Sequence, residues 1–249
     1  MLQGKTILIT GASSGIGASA AGLFAEAGAN LVLAARRKDK LEEVRDALPE
    51  ASNRIAVFAG DVSDPAFSEA AVNVAIETFG GLDGAFNNAG ILGEMGPVAD
   101  MSLETWNEVL NINLSSAFLA AKYQIPAMKT VGGGSIVFTS TFVGHTMGIP
   151  GMAAYAASKA GLIGLTQVLA VEHGQENIRV NALLPGGTKT EMAGDDPAFL
   201  EYVAGMHALK RMAEPGEIAK AAMFLLSDAS SFVTGSAMIC DGGNSVTKS

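Results

Sequence analysis

The chain has 249 residues, of which 49% are hydrophobic and 16% are charged, and its formal net charge is −9. This composition supplies enough apolar side chains for a large buried core, while the acidic balance argues against a nucleic-acid surface and favours a soluble protein. The single cysteine, Cys240, excludes an intrachain disulfide and a cysteine-cluster metal site, and it fits a reducing cytoplasm.

Two apolar stretches of the sequence lack the features of targeting or membrane-spanning segments. The start, MLQGKTILITGASSG, turns glycine-rich after a short apolar run, which is typical of neither a signal peptide nor a transit peptide. The uncharged span 130–158 is interrupted by GGG, VGH and GIPG, whereas a membrane-spanning helix needs about 20 continuous apolar residues. We therefore expect a cytoplasmic protein that does not bind a membrane.

Short aliphatic and β-branched runs alternate with helical-period segments nearly to the end of the chain. The first six runs are almost continuously apolar, as expected for parallel strands covered on both faces. The predicted strands are 5–10, 30–35, 54–59, 82–87, 135–140, 178–183 and 236–241. The predicted helices are 15–28, 38–48, 65–79, 102–128 (with a kink), 152–173 and 215–227.

No linker, repeat or low-complexity tract interrupts this alternation. It predicts a single α/β domain over 1–249, a Rossmann-type, doubly wound parallel sheet of about seven strands with helices on both faces. Ligands bind such sheets at the carboxyl ends of the strands. The exception is 187–212, which is loop-like, partly helical and rich in Met. It is either a substrate-facing insertion or a plain surface excursion.

The first strand runs into TGASSGIG, residues 10–17. Gly11, Gly15 and Gly17 allow a tight turn, a close approach of the backbone to a phosphate pair, and packing of the next helix on the sheet. The N-terminus of that helix presents free N–H groups to a pyrophosphate. A glycine loop alone could serve any tight turn, but between a strand and a helix it predicts a dinucleotide-binding site.

Five motifs in chain order resemble those of the short-chain dehydrogenase/reductase family. They are TGASSGIG at 10–17, NNAG at 87–90, NIN at 111–113, YAASK at 155–159 and LLPGGTKTEM at 183–192. The likeness extends to FVTGSAMICDGG at 232–243 and so covers nearly the whole chain. It implies hydride transfer between a nicotinamide cofactor and a carbonyl or alcohol, the carbonyl being a ketone or aldehyde.

Tyr155 and Lys159 lie four residues apart in an Ala- and Leu-rich helix and so share one helix face. The ammonium is expected to favour the phenolate and to lower the tyrosine pKa from its usual value of about 10. The resemblance makes Tyr155 the acid/base, Lys159 its tuner and a ribose ligand, and Asn113 the backbone or water anchor of a proton relay. The structural alternative is a packed tyrosine beside a snorkelling lysine.

A hydroxyl at the end of the strand SIVFTS should orient the substrate oxygen. The family places two serines there, and this chain has Ser140 and Thr141. The position matches Thr141, whereas Ser140 carries the more usual side chain. We favour Thr141 and keep Ser140 as the alternative.

Cofactor choice is decided after the second strand, where an NAD-preferring site generally has an acidic residue for the ribose 2′-hydroxyl. Ala35 stands there, followed by Arg36 and Arg37. A guanidinium can bind a 2′-phosphate in a fork. We therefore predict NADP(H), with NAD(H) possible, Arg36 as the main contact and Ser14 as a helper. The alternative is that both arginines are solvated at a helix start.

The resemblance supplies the other cofactor contacts, which Tyr155 and Lys159 join. The glycine loop contributes Gly11, Ser13, Ser14, Gly15, Ile16 and Gly17. Asp61 and Val62 flank the adenine, and Asn88, Ala89 and Gly90 line the ribose. The nicotinamide carboxamide is held by Pro185, Gly186, Thr188 and Thr190.

The three histidines, His145, His173 and His207, are far apart and lack a metal-binding spacing, so no metal is predicted. His145 either touches the substrate or caps its own loop. The substrate pocket is predicted to be apolar and suited to a medium-sized hydrophobic carbonyl or alcohol. Its walls are Ile91, Leu92, Glu94, His145, Met147, Ile149, Met192, Phe199, Tyr202 and Met206.

Three further expectations concern the enzyme class and its partners. The alternative enzyme is a 3-oxoacyl-[acyl-carrier-protein] reductase, which would need a basic docking patch; an enoyl reductase fits less well, since that branch spaces its tyrosine and lysine further apart. The non-enzyme alternative is a nucleotide-sensing protein on the same fold. By resemblance the chain forms a homotetramer, through helices 102–128 and 152–173 and the C-terminal strand region.

Overall fold

The computed structural model describes residues 1–247. Within them, seven strands form one parallel sheet. Its strands are β1 (Thr6–Thr10), β2 (Asn30–Ala35), β3 (Ile55–Ala59), β4 (Gly84–Asn87), β5 (Gly134–Thr139), β6 (Ile178–Pro185) and β7 (Ala237–Cys240). The strand order is β3-β2-β1-β4-β5-β6-β7, and every neighbouring pair is parallel. The predicted doubly wound sheet of seven strands is confirmed.

Helices cover both faces of this sheet. They are α1 (Gly15–Glu26), α2 (Lys38–Asp46), α3 (Pro65–Phe79), α4 (Leu103–Leu110), α5 (Ser116–Thr130), α6 (Ala153–His173), α7 (Pro197–Met206) and α8 (Pro215–Leu226). On one face α1 packs against α8, and on the other α3 packs against α5 and α4 against α6.

Two buried layers follow from the alternation of side chains along each strand. In β1, Ile7 and Ile9 point into the layer beneath α1 and α8, where Phe24 packs. The intervening Leu8 points into the opposite layer with Met128 of α5. Because the strands are covered on both sides, they read as continuous apolar runs in the sequence.

The chain direction across the sheet reverses between β1 and β4, since β2 and β3 lie on one side of this pair and β5 to β7 on the other. The loops after β1 and β4 therefore diverge and leave a crevice at the carboxyl ends of the strands, which is the usual ligand site of such sheets.

Two predicted segments differ in detail. The single helix expected over 102–128 is divided by a π-helical stretch, Asn111–Ser115, between α4 and α5, which accounts for the predicted kink. The excursion 187–212 contains a 3₁₀ turn, Glu191–Ala193, and α7.

The span Ala153–Glu176, which includes α6, is long and apolar enough to cross a membrane by length and composition. Its residues Leu162 and Leu169 are buried in the core against the sheet, and the buried Lys159 faces the crevice. In this fold one face of the helix is therefore buried against the sheet, while Val168 and Val171 lie exposed on its other side.

Candidate active site

A cleft of about 1130 Å³ opens at the carboxyl ends of the strands, where the chain direction reverses. Loops that follow β1, β2, β3, β4, β5 and β6 line it, together with α7 and the segment after β7. The predicted cofactor residues that line it are Gly11, Ser13, Ser14, Gly15, Ile16, Arg36, Arg37, Asp61, Val62, Asn88, Ala89, Gly90, Tyr155, Lys159, Pro185, Gly186, Thr188 and Thr190. One cavity thus brings together motifs that lie far apart in the sequence.

Gly17 does not line the cleft but shapes the glycine loop. A Cβ there would overlap the carbonyl oxygen of Gly11, so glycine lets α1 begin directly against the turn. Gly11 and Gly15 adopt φ values of +66° and +53°, which glycine tolerates best. The N-cap of α1, Ser14, makes no side-chain capping bond, so the first N–H groups of α1 are left for an anionic ligand.

Lys159 is almost fully buried, with 4% of its surface exposed. Its Nζ donates to the carbonyl oxygen of Thr139, at 2.7 Å, and lies 5.9 Å from the centre of the Tyr155 ring. A Cβ on Gly90 would stand 3.0 Å from this Nζ and 3.1 Å from Oδ1 of Asn113. The glycine of NNAG therefore leaves the room that the ammonium occupies.

The prediction that Lys159 lowers the pKa of Tyr155 is wrong for the polypeptide alone. Burial raises the pKa of Tyr155 to about 12, and a hydrogen bond with the Thr141 side chain lowers it only in part. Burial also lowers the pKa of Lys159 to about 8. Desolvation disfavours the charged form of each group and is the largest cause of both pKa shifts.

The two candidate hydroxyls have different partners. Oγ of Ser140 donates to the main-chain oxygen of Lys159, at 2.7 Å, and is buried. Oγ1 of Thr141 accepts from the main-chain N–H of Val143, at 3.3 Å, and the Thr141 side chain lies close enough to the Tyr155 phenol to lower its pKa. Ser140 therefore ties β5 to α6, whereas the Thr141 hydroxyl is placed beside the phenol.

Asn113 lies in the π-helical stretch and does not line the cleft. Its Oδ1 accepts from the N–H of Ile91 at 2.8 Å, and its Nδ2 donates to the Ile91 oxygen at 2.9 Å and to Oγ of Ser158 at 3.1 Å. The side chain fastens the loop after NNAG to α6, which carries the tyrosine.

Arg36 and Arg37 are exposed residues of the cleft wall, directly after β2. Nη2 of Arg37 lies 3.6 Å from Oε2 of Glu191, at the start of the 3₁₀ turn in the excursion. Hydrogen bonds from the main chain and hydroxyl of Ser63 lower the pKa of Asp61, and Arg36 lowers it further. Both arginines thus stand near a carboxylate.

The substrate side of the cleft is mainly apolar. The predicted residues that line it are Ile91, Leu92, Met147, Ile149, Met192, Phe199, Tyr202 and Met206. Glu94 and His145 are exposed and lie outside the lining. His145 therefore lies outside the predicted substrate wall: its main-chain N–H and that of Thr146 donate to the carbonyl oxygen of Phe142, and Met147 of the same loop lines the cleft.

Several lining residues were missed in the sequence. They are Met95, Ile112, Phe142, Met152, Glu191, Met212, Asn244 and Thr247. Asn244 and Thr247 follow the carboxyl end of β7, so the rule that ligands bind at strand ends could have identified them. The methionines carry no such signal, because the same residues are common core filler.

Comparison with known proteins identifies the chain's relatives. A family model described as enoyl-(acyl carrier protein) reductase matches residues 11–245. The 2,5-dichloro-2,5-cyclohexadiene-1,4-diol dehydrogenase of Sphingobium indicum is 44% identical over 248 residues, covering 97% of each chain. Cyclohexanol dehydrogenase of Acinetobacter sp. (strain SE19) is 39% identical over 239 residues, covering 96% of this chain and 94% of that one.

The fold has a matching solved structure. The crystal structure of 3-ketoacyl-(acyl-carrier-protein) reductase from Brucella melitensis, complexed with NADH, has a TM-score of 0.92 and 31% identity, covering 99% of this chain and 100% of that one. The glycine loop, the uncapped start of α1 and the room left by Gly90 fit a nicotinamide cofactor in the cleft. The chain belongs to the short-chain dehydrogenase/reductase family and is an oxidoreductase that interconverts carbonyl and alcohol groups with a nicotinamide cofactor.

Proposed function

We propose that the protein is an NADP(H)-dependent oxidoreductase of neutral hydrophobic ketones and secondary alcohols, with Tyr155 as the acid/base. The observation that carries this proposal is the meeting of Tyr155, Thr141 and Lys159 in one cleft with the glycine loop. The bound cofactor supplies or accepts the hydride. The side chains supply or accept the proton and orient the substrate oxygen.

The chain's own groups divide the proton chemistry. With a pKa of about 12, the phenol of Tyr155 is protonated at neutral pH and is ready to donate to a carbonyl oxygen. Thr141 lies beside it and can donate a second hydrogen bond to the same oxygen. The Lys159 ammonium stabilises the phenolate that donation leaves behind, because an opposite charge nearby favours the charged form.

The burial of the Lys159 ammonium itself indicates that this residue has a role in the site. Burying a charged lysine is unfavourable, and a single hydrogen bond to Thr139 offsets only part of this effect. An apolar residue would give a more stable α6. We infer that Lys159 is retained for the phenolate and for the ribose of the cofactor.

Preference for NADP(H) follows from the residues after β2. Ala35 offers no carboxylate to a ribose 2′-hydroxyl, and Arg36 can bind a 2′-phosphate. Arg37 shares its charge with Glu191, so Arg36 is assigned as the main contact. Ser14, which lines the cleft, is assigned as its helper.

The substrate class follows from the apolar wall and from the relatives. Two of them are named for acting on alcohols of six-membered carbon rings. We therefore assign alicyclic secondary alcohols and ketones as substrates. The exposed excursion carries the acidic residues Glu191, Asp195, Asp196 and Glu201 beside the basic residues Lys189, Lys210 and Arg211, so this edge of the cleft has mixed charge rather than the basic patch that a carrier-protein substrate would need.

A homotetramer in the cytoplasm is part of the same proposal. Large apolar side chains lie exposed on the outer faces of α5 and α6, where Phe118 and Val168 are each 55% exposed and Val171 is 84% exposed. Because exposed apolar patches are typical of protein interfaces, we assign these helix faces to the contacts between subunits.

Replacing Tyr155 with Phe tests the chemistry directly. Loss of the phenolic proton should lower kcat for ketone reduction by about 10²–10⁴-fold, while the Kd for NADPH changes little. Stopped-flow turnover and fluorescence titration measure the two quantities. Tyr123→Phe in α5, outside the cleft lining, is the matched control; retained turnover in the Tyr155 variant would overturn the mechanism.

The two hydroxyls can be separated by Thr141→Val and Ser140→Ala. Thr141→Val should lower kcat/KM by about 10-fold or more, the loss of one hydrogen bond to a developing charge. Its melting temperature should fall less than that of Ser140→Ala, because the bond from the Val143 N–H that it removes is the longer one, at 3.3 Å. Ser140→Ala should lower the melting temperature, because it removes the bond to α6. The reverse pattern would make Ser140 the substrate-orienting hydroxyl.

Cofactor choice is tested by Arg36→Ala. The variant should bind NADPH about 10–100-fold more weakly, since a charge-assisted hydrogen bond pair is lost, and should bind NADH as before. Calorimetric titration of both cofactors measures this difference. Arg45→Ala, in the last turn of α2 and outside the cleft lining, is the control. Equal use of NAD and NADP, unaltered in Arg36→Ala, would exclude the NADP(H) assignment.

Lys159→Met tests the cost of the buried ammonium through pH. The folded-state pKa of about 8 lies below the ordinary value of 10.5, so between these values the unfolded chain binds more protons and stability rises with pH. From pH 7 to 10 the wild type should gain at most about 3 kcal/mol relative to the variant. Urea unfolding measures this, with the exposed Lys122→Met as control. A pH-independent difference would contradict it.

A further inference from the structure

His207 is a buried polar residue that the mechanism does not use. Only 1% of its surface is exposed, and it lies behind the cleft wall, outside the lining. It follows α7 directly, in the excursion that forms the substrate side of the cleft. The buried imidazole lies close to the turn after β6, which is assigned to the nicotinamide carboxamide, so its hydrogen-bond partners show what it does there.

Both ring nitrogens of His207 are hydrogen-bonded to main chain. The N–H of Gly187 donates to Nε2 at 3.0 Å, and Nδ1 lies 2.8 Å from the carbonyl oxygen of Val203. A carbonyl can only accept, so Nδ1 carries the proton and Nε2 is the acceptor. The ring is therefore the neutral Nδ1–H tautomer, and it joins α7 to the turn after β6.

The ring also packs directly against that turn. A Cβ on Gly186 would lie 2.9 Å from Nε2, and one on Gly187 would lie 2.9 Å from Cε1. On the other side of the imidazole ring, a Cβ on Gly242 would lie 3.4 Å from Cδ2. The two glycines after Pro185 thus leave space for the imidazole behind the turn, while the front of the turn faces the cleft.

A second hydrogen bond holds the turn at the next peptide plane, the one that contains the Gly187 carbonyl. That carbonyl oxygen accepts from the N–H of Ala213, at 2.9 Å, where the excursion returns to the body of the protein. The imidazole holds the N–H of Gly187 and Ala213 holds its carbonyl. Loss of the imidazole would leave a buried N–H without a partner and free the turn to rotate.

We propose that His207 is a positioning residue that sets the turn Pro185–Thr188 against α7, and so orders the nicotinamide end of the cofactor site together with the substrate wall. This inference rests on the proposed function, which assigns the turn to the nicotinamide carboxamide. His207 touches neither cofactor nor substrate. It acts through the main chain of Gly187 and through Val203, which lines the cleft.

The test separates the two ends of the cofactor. His207→Leu removes both hydrogen bonds, His207→Asn is long enough for Val203 but not for Gly187, and His207→Gln can reach both. Calorimetry gives the Kd of each variant for NADP and for adenosine 2′,5′-bisphosphate, which lacks the nicotinamide. The Leu and Asn variants should bind NADP about 5–100-fold more weakly, as for an unpartnered buried N–H, and the bisphosphate as the wild type does.

The Gln variant should restore NADP binding to within about 3-fold, a residual loss of well under 1 kcal/mol, and the KM for ketone should recover with it. His173→Gln and His173→Leu, at the C-terminal end of α6 and outside the cleft lining, are the controls. The proposal would be overturned if the Asn variant bound both ligands equally more weakly, or bound both as the wild type does. The Asn variant decides the question even if the Leu variant does not fold. Retained turnover in Tyr155→Phe would overturn the proposed chemistry while leaving this binding comparison intact.

Discussion

The buried ammonium of Lys159 is the interaction on which the site depends. Its Nζ donates to the Thr139 carbonyl, and in return the neighbouring Ser140 hydroxyl donates to the main-chain oxygen of Lys159. These two bonds run in opposite directions between the carboxyl end of β5 and α6. They fix the helix that carries the tyrosine relative to the segment after β5, which carries Thr141. The same two contacts therefore hold the ammonium in place and position the two elements of the site.

The neighbouring elements make room for that charge and hold its surroundings. Gly90 is small enough to leave the ammonium its place, and Asn113 fastens the loop after Gly90 to α6 through Ile91 and Ser158. The π-helical stretch holds Asn113 where α4 passes into α5. The NNAG and NIN motifs therefore serve one geometrical purpose, which is to support the helix bearing Tyr155.

Much of the fold and of the cofactor side could be predicted because the relevant signals are local. A glycine needed at positive φ, such as Gly11 or Gly15, and a four-residue spacing on a helix are visible in the sequence. The two histidines show the limit: His145 turned outward and His207 inward, which depends on loop paths and on contacts with the distant Gly187. Local patterning holds no information on either.

The sign of the tyrosine's pKa shift shows the same limit in energetic terms. The spacing placed the ammonium beside the phenol, but burial decides which term is larger, and burial comes from the whole fold. Within the polypeptide, desolvation favours the neutral form of both Tyr155 and Lys159. The phenolate that alcohol oxidation requires must therefore be favoured by further positive charge and hydrogen bonds inside the cleft. We infer that Lys159 and the filled cleft together favour the phenolate, and that the polypeptide alone favours proton donation by the phenol.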